Sequence, residues 1–227
     1  MKRIFTTLSQ KWPEYLLEIL VLVIGIYGAF ALENWNDYRN RKEFEQNTLS
    51  QILVNFKSDR ESLLTINSHF RRAIQSTEKI LNTNESTENT DSLKFWLADV
   101  AQFDRFNALT NSYEVLKSKG LDMLSNQELA HQLGQYYDDD ALKVSKTIGD
   151  IEITFNLDWN PVLKSDVVSF EFRKSLILSD WSLITGNGLP RRVVILNRDN
   201  YSSGSMRILE VISRLNELIE AVENELN

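Results

Sequence analysis

Glu18 is the one acidic or basic residue in the run Leu16–Leu32, and Gly25 and Ala29 follow it by seven and eleven residues. On a helix that turns about 100° per residue, both lie within about 20° of Glu18, so the three share one face. Gly25 and Ala29 form a small-xxx-small pair, which lets two membrane helices approach closely. A carboxyl group on that face has three possible roles. It can hydrogen-bond across an oligomer interface, it can serve a proton or ion path, or it can snorkel to the headgroups from three residues inside Tyr15. The sequence leaves all three open.

The remaining reactive residues are sparse. His69 and His131 are the only histidines, and there is no cysteine, so thiolate nucleophiles, disulfides and thiolate metal sites are excluded. Both histidines read as surface or boundary residues. His69 neighbours the apolar seam position Phe70, and His131 falls early in a capped helix. A nucleophilic triad or metal site would need one of them with convergent partners. Asp138-Asp139-Asp140 are consecutive, so on a helix they point in different directions and read as a solvated acidic surface rather than a calcium loop. Arg71-Arg72 and Arg191-Arg192 read as solvated charge, with lipid phosphates or an acidic partner as the alternative. Gly186-Asn187-Gly188 reads as a turn, and no zinc-protease, nucleophile-elbow or phosphate-loop motif is present. No catalytic residue, metal ligand or cofactor is expected.

The element that positions Glu18 is apolar from Leu16 to Leu32. Trp12 and Tyr15 stand at one end and Trp35 and Tyr38 at the other. This is the pattern of a membrane-spanning helix with an aromatic belt at each interface. From Trp12 to Trp35 is about 34 Å at about 1.5 Å per residue, which matches a bilayer core and the inner edge of its interfaces. The apolar run exceeds a signal-peptide core and lacks a small-x-small cleavage site, so it reads as an uncleaved anchor. The expected division is a tail over 1–13, a membrane helix over 14–38 and a soluble domain over 39–227. A net charge of -7 without a basic stripe argues against nucleic-acid binding.

Three prolines and eight glycines in 227 residues favour helices over a turn-rich β architecture. Pro13 fits a first helical turn. No strong breaker follows until about Asn82, so the anchor is expected to continue into a long helix. Positions 49, 53, 56, 60, 63, 67, 70, 74, 77 and 81 alternate in steps of four and three, and seven of the ten are apolar. Ile52, Leu64 and Ala73 widen this coiled-coil-like seam into the stripe of a bundle helix. Residues 82–90 read as a polar loop. Asp91 can cap a helix carrying Leu93, Trp96, Leu97, Val100 and Phe103. Asn111 with Glu114, and Ser125 with Glu128, match capping boxes, and Gly120 marks a helix end. The helix after Ser125 is expected to run to about Asn160, where Pro161 interrupts it. Residues 167–170 fit either a strand or a helical turn, and Val193–Leu196 leans to helix. Ile208, Val211, Leu215, Leu218, Val222 and Leu226 form the stripe of the last helix. The fold class is all-α: one N-terminal transmembrane helix continuing into an antiparallel helical bundle.

The stretch EILVLVIGIYGAFALENWND resembles the anchor of an uncharacterised family of bacterial membrane proteins. SYEVLKSKGLDMLSNQELAHQLGQYYDD, residues 112–139, resembles that family's second signature, and ILEVISRLNELIEAVENEL its C-terminal helix. Tyr27, Phe30 and Glu33 depart from the anchor pattern. The resemblance implies a single-pass protein of a Gram-negative inner membrane with a helical soluble domain, and it implies no activity. Lys2, Arg3 and Lys11 precede the anchor while Arg39, Arg41 and Lys42 follow it, so the charge bias is weak. A short N-tail is easily left in the cytoplasm, which puts the C-terminal domain in the periplasm. The functional expectation is a non-enzymatic anchored scaffold whose partners are the lipid bilayer and either a second copy or another membrane protein. A sensor-like domain with a pocket lined by Trp96, Phe103, Tyr136 and Trp159 is the alternative, and an enzyme built on a histidine and a carboxylate is the third.

Overall fold

The structure is a computed structural model. It describes the backbone of residues 2–84 and 91–227, and the side chains of Trp12 and of Tyr15 onward. Most of the loop expected over 82–90 lies outside the described residues. The elements are helical, apart from one two-stranded antiparallel sheet, as an all-α chain requires. By contacts the chain divides into two compact units, Met1–Asn47 and Thr48–Asn227.

The first unit belongs to helix α1, Lys2–Leu81, which continues past the apolar run Leu16–Leu32 without a break, as expected. Helix is already formed ahead of Pro13, which was expected to open it. A proline removes one N–H from the ladder, and the residues before it can stay helical without that bond. Every side chain from Tyr15 to Glu43 is exposed, including the apolar run.

In the second unit the periodic stripe of α1 makes one wall of the core. Leu49, Ile52, Phe56, Leu63, Phe70 and Ala73 are each at most 1 % exposed. Leu64 corrects the expected stripe: it is 42 % exposed, because residues 59, 63, 66 and 70 centre the buried face away from it.

Helix α8, Leu189–Leu226, lies antiparallel along α1: Ser205 Oγ donates to Asn67 Oδ1 at 2.7 Å, while Lys57 Nζ meets Glu223 Oε1 at 2.6 Å. Gly188 precedes it and Pro190 sits in its first turn, where the missing N–H costs nothing. Val193–Leu196 therefore belongs to this helix. At Gly204 a Cβ would come 2.6 Å from Phe70 Cε2, so the close approach of α8 to α1 requires glycine there.

A third long element runs through α4 (Gln127–Gln135), a π turn (Tyr136–Asp140), α5 (Ala141–Thr154), a second π turn (Phe155–Trp159) and α6 (Asn160–Ser165). It lies antiparallel to α8, with Gln135 accepting from Arg214 and Thr154 Oγ1 accepting from Asn200. The expected stop near Asn160 is corrected: Pro161 falls in the first turn of α6, just after the widened turn. A proline crowds the preceding turn and has no N–H to give, and a π turn there relaxes both demands.

Short elements close the unit. Helix α2 is Leu93–Val100, with Ser92 at its N-cap position making no side-chain cap bond, and Phe103 lies beyond its end. Helix α3 is Asn111–Lys119. Asn111 does not cap it, because its Oδ1 accepts from Asn55 Nδ2 at 3.0 Å instead. Gly120 ends α3 at φ 105, a value that favours glycine. The cap of α4 is Asn126, whose Oδ1 accepts from Leu129 N at 3.0 Å, one residue beyond the expected Ser125. Residues 167–170 form a strand. β1 (Val167–Glu171) pairs with β2 (Ser175–Leu178), and a short α7 (Ser182–Thr185) leads on to α8. Leu176 and Leu178 are the buried positions of β2, which gives the hairpin an apolar face to dock.

Candidate functional site

The Glu18–Gly25–Ala29 face of α1 stands open. A Cβ added at Gly25 would meet nothing within 4 Å, and the same holds at Gly28. Glu18, Gly25 and Ala29 are all exposed, as are the belt residues Trp12, Tyr15, Trp35 and Tyr38. Beyond the belt, the Arg39 guanidinium lies over the Trp35 ring, 5.7 Å from its centroid. Among the described residues this is one helix long and apolar enough to cross a membrane, and none of its apolar window is buried.

In the second unit a polar cluster surrounds the buried Asp59. Its carboxylate is 2 % exposed and accepts from Leu109 N at 3.2 Å and from Tyr136 Oη at 3.0 Å. Burial pushes its pKa up to about 6, against the opposing effect of those two donors. Desolvation and the nearby Asp59 charge push the Tyr136 phenol strongly up, so it stays a donor. One turn earlier, Asn55 Nδ2 donates to Leu109 O at 3.1 Å. The two α1 residues thus grip both backbone groups of Leu109 and hold the 102–110 segment against the bundle. The π turn makes this possible, because it carries the adjacent residues Tyr136 and Tyr137 both into the core. There they meet Phe56, edge-on and stacked, with ring centroids 5.1 and 5.6 Å away.

Tyr137 in turn stacks on Tyr113 at 4.5 Å, and Tyr113 Oη donates to Asp138 Oδ2 at 2.9 Å. Lys117 Nζ donates to Asp138 Oδ1 at 2.8 Å and holds that carboxyl below its usual range. Tyr113, Lys117 and Asp138 border an open groove of about 470 Å³ that His131 also lines. The acidic triplet is therefore more engaged than a solvated surface, since Asp139 also pairs with Lys143 at 2.7 Å.

His69 is half-buried, as expected of a boundary residue, and its ring also finds a partner that the sequence did not indicate. Its Nδ1 lies 3.1 Å from Asp104 Oδ2, and Asp104 Oδ1 also accepts from Arg173 Nη2 at 2.5 Å. Arg173 tips the β1–β2 hairpin at φ 62, a strained conformation for a residue with a side chain, and it also donates to Phe103 O at 2.8 Å. The trio ties α1, the 102–110 segment and the hairpin together. Its partners are a carboxylate, a guanidinium and a carbonyl, which makes a structural clasp. Among the described residues no group of three or more His, Cys, Asp or Glu side chains could hold a metal ion.

The four aromatics expected to share a pocket have separate surroundings. Trp96 lies under Lys79, Phe103 packs on Phe155 and Phe172, Tyr136 belongs to the Asp59 cluster, and Trp159 is 1 % exposed in the core. Arg191 corrects the expectation of solvated charge. Its Nη2 donates to Leu81 O at 2.8 Å, and its Nη1 donates to Ile184 O at 2.9 Å and to Ile80 O and Thr83 O at 3.3 Å.

The chain matches no protein-family model, no curated protein and no solved structure.

Proposed function

We propose that this chain is a non-enzymatic membrane-anchored scaffold that self-associates through its anchor. In this reading it is a single-pass protein of a bacterial inner membrane, with its N-terminus in the cytoplasm and its helical domain in the periplasm. The resemblance to an uncharacterised bacterial membrane-protein family agrees with that placement. The observation that carries the reading is the bare apolar helix: from Tyr15 to Leu32 its large apolar side chains are 42 % to 72 % exposed. In water each would cost about 1.5–3 kcal/mol relative to burial, a burden that a bilayer removes.

The Glu18–Gly25–Ala29 face supports self-association: lipid removes any hydrophobic reason for helices to pair, and small residues that let backbones approach supply van der Waals packing instead. Open space at Gly25 leaves room for a partner helix. Gly25→Leu is expected to lower association of the anchor in a membrane two-hybrid assay by at least tenfold, about 1.4 kcal/mol. The same substitution should leave the unfolding midpoint of the bundle unchanged. A full-length protein that is monomeric in mild detergent, and an anchor indifferent to Gly25→Leu, would defeat self-association through this face.

A further inference from the structure

Beyond the span itself, we infer that the helix face formed by Trp35, Tyr38, Arg39 and Lys42 is a binding surface for anionic phospholipid headgroups. The inference rests on the reading that residues 16–32 cross the bilayer. At about 100° per residue, Tyr38, Lys42, Trp35 and Arg39 fall within about 100° of arc, while Glu33 and Asp37 project from the opposite side. Glu43 borders the face beside Arg39. Arg41 lies on the acidic side, about 40° from Asp37, so charge along this short stretch is only partly sorted by face, and the stretch as a whole is close to neutral. All four residues of the face are exposed, and among the described residues neither Arg39 nor Lys42 has an ion-pair partner.

The geometry suits phosphate at membrane level. Lys42 lies about 10 Å along the axis from Trp35, a distance on the scale of the headgroup layer. Helical side chains lean toward the N-terminus, here toward the bilayer. The Arg39 guanidinium does so visibly, lying over the Trp35 ring at 5.7 Å. This cation–π placement leaves the guanidinium N–H groups able to fork onto phosphate oxygens. Trp35 and Tyr38 supply the amphipathic rings that settle among headgroups. Lys42 adds a second, mobile cation one turn above.

The experiment compares the full-length protein with R39Q/K42Q, and with R71Q/R72Q, which removes the same charge from exposed positions of the second unit. Each is equilibrated with equimolar phosphatidylglycerol and phosphatidylcholine in detergent, and retained lipid is counted by native mass spectrometry. The expected result is preferential retention of phosphatidylglycerol, lowered on the order of tenfold in R39Q/K42Q and kept in R71Q/R72Q. Equal retention of the two lipids by the wild type, or an unchanged preference in R39Q/K42Q, overturns the inference. Alkaline carbonate treatment of native membranes separates the two readings. Protein that stays in the membrane without lipid preference defeats the headgroup surface alone, whereas protein released to the supernatant defeats the span as well.

Discussion

Arg191→Ala is expected to destabilise the helical domain by about 2–4 kcal/mol, the largest loss among single surface-accessible side chains. The last carbonyls of a helix have no partner within it. At the end of α1 the Arg191 side chain donates to the carbonyls of Ile80, Leu81 and Thr83, and it reaches that of Ile184 as well. Its charge also faces the negative end of the α1 dipole. Removing it leaves four half-buried acceptors to find other donors and frees the junction of α7 with α8. For a domain of this size the midpoint should fall by about 6–12 °C. Arg191→Lys should recover less than half of the loss, because one ammonium cannot cover carbonyls that a planar fork spans. Arg192→Ala is the control: its Nη1 reaches only Asn187 O, at 3.3 Å, so a change within about 0.5 kcal/mol is expected. Thermal unfolding followed by tryptophan emission in detergent measures all three. Equal effects at 191 and 192 would refute the cap.

Asp59→Asn is expected to change how stability depends on pH. A folded-state pKa of about 6, above the ordinary 3.8, means that the native state holds this proton more tightly than the unfolded chain. The contribution of Asp59 is therefore fully present below pH 3.8 and is lost as pH rises through about 6. At neutral pH the protein carries a buried carboxylate balanced by only two donors. Asparagine keeps an acceptor for Leu109 N and Tyr136 Oη and carries no charge. The stability of Asp59→Asn relative to wild type should thus rise by about 2 kcal/mol between pH 4 and pH 7.5. Carboxylates such as Asp138, whose pKa is lowered, run in the opposite sense in both proteins and cancel in the difference. Denaturant midpoints for both proteins at the two pH values provide the measurement. A difference that stays constant across this range would show that Asp59 titrates as an exposed carboxylate does.

These two side chains also show what the sequence conceals. The wall that α1 gives to the core was legible, because a period near 3.6 runs through Leu49, Phe56, Leu63 and Phe70 with no proline or glycine to interrupt it. The run Leu16–Leu32 was legible as part of a long helix from its continuous hydropathy, and so, from its stripe, was the C-terminal half of α8. Its N-terminal half was not, since Asn197, Ser203, Gly204 and Ser205 break the apolar pattern. Two of these breaks reflect a distant neighbour: Gly204 makes room for the Phe70 ring, and Ser205 pairs with Asn67. Asp59 lies between expected seam positions, and its burial depends on a π turn 77 residues later in the chain. A π turn shifts the helical phase, so periodicity read before Tyr136 does not extend beyond it. The capping residues were missed by one position where two polar residues adjoin, as at Ser125-Asn126, because either could accept the N3 amide. The role of Arg191 depends on where α1 ends in space, which no local pattern encodes.

The central claim is that residues 16–32 cross a bilayer, and the chain suits a direct test because it contains no cysteine. Single cysteines placed from position 12 to position 42 can be labelled in intact cells with a maleimide that does not cross membranes. The expected result is no labelling from 16 to 32 before or after permeabilisation, labelling at 38 and 42 in intact cells, and labelling at 12 only once the inner membrane is opened. Labelling throughout 16–32 in native membranes would contradict the span, and labelling at 12 but not at 42 in intact cells would reverse the orientation.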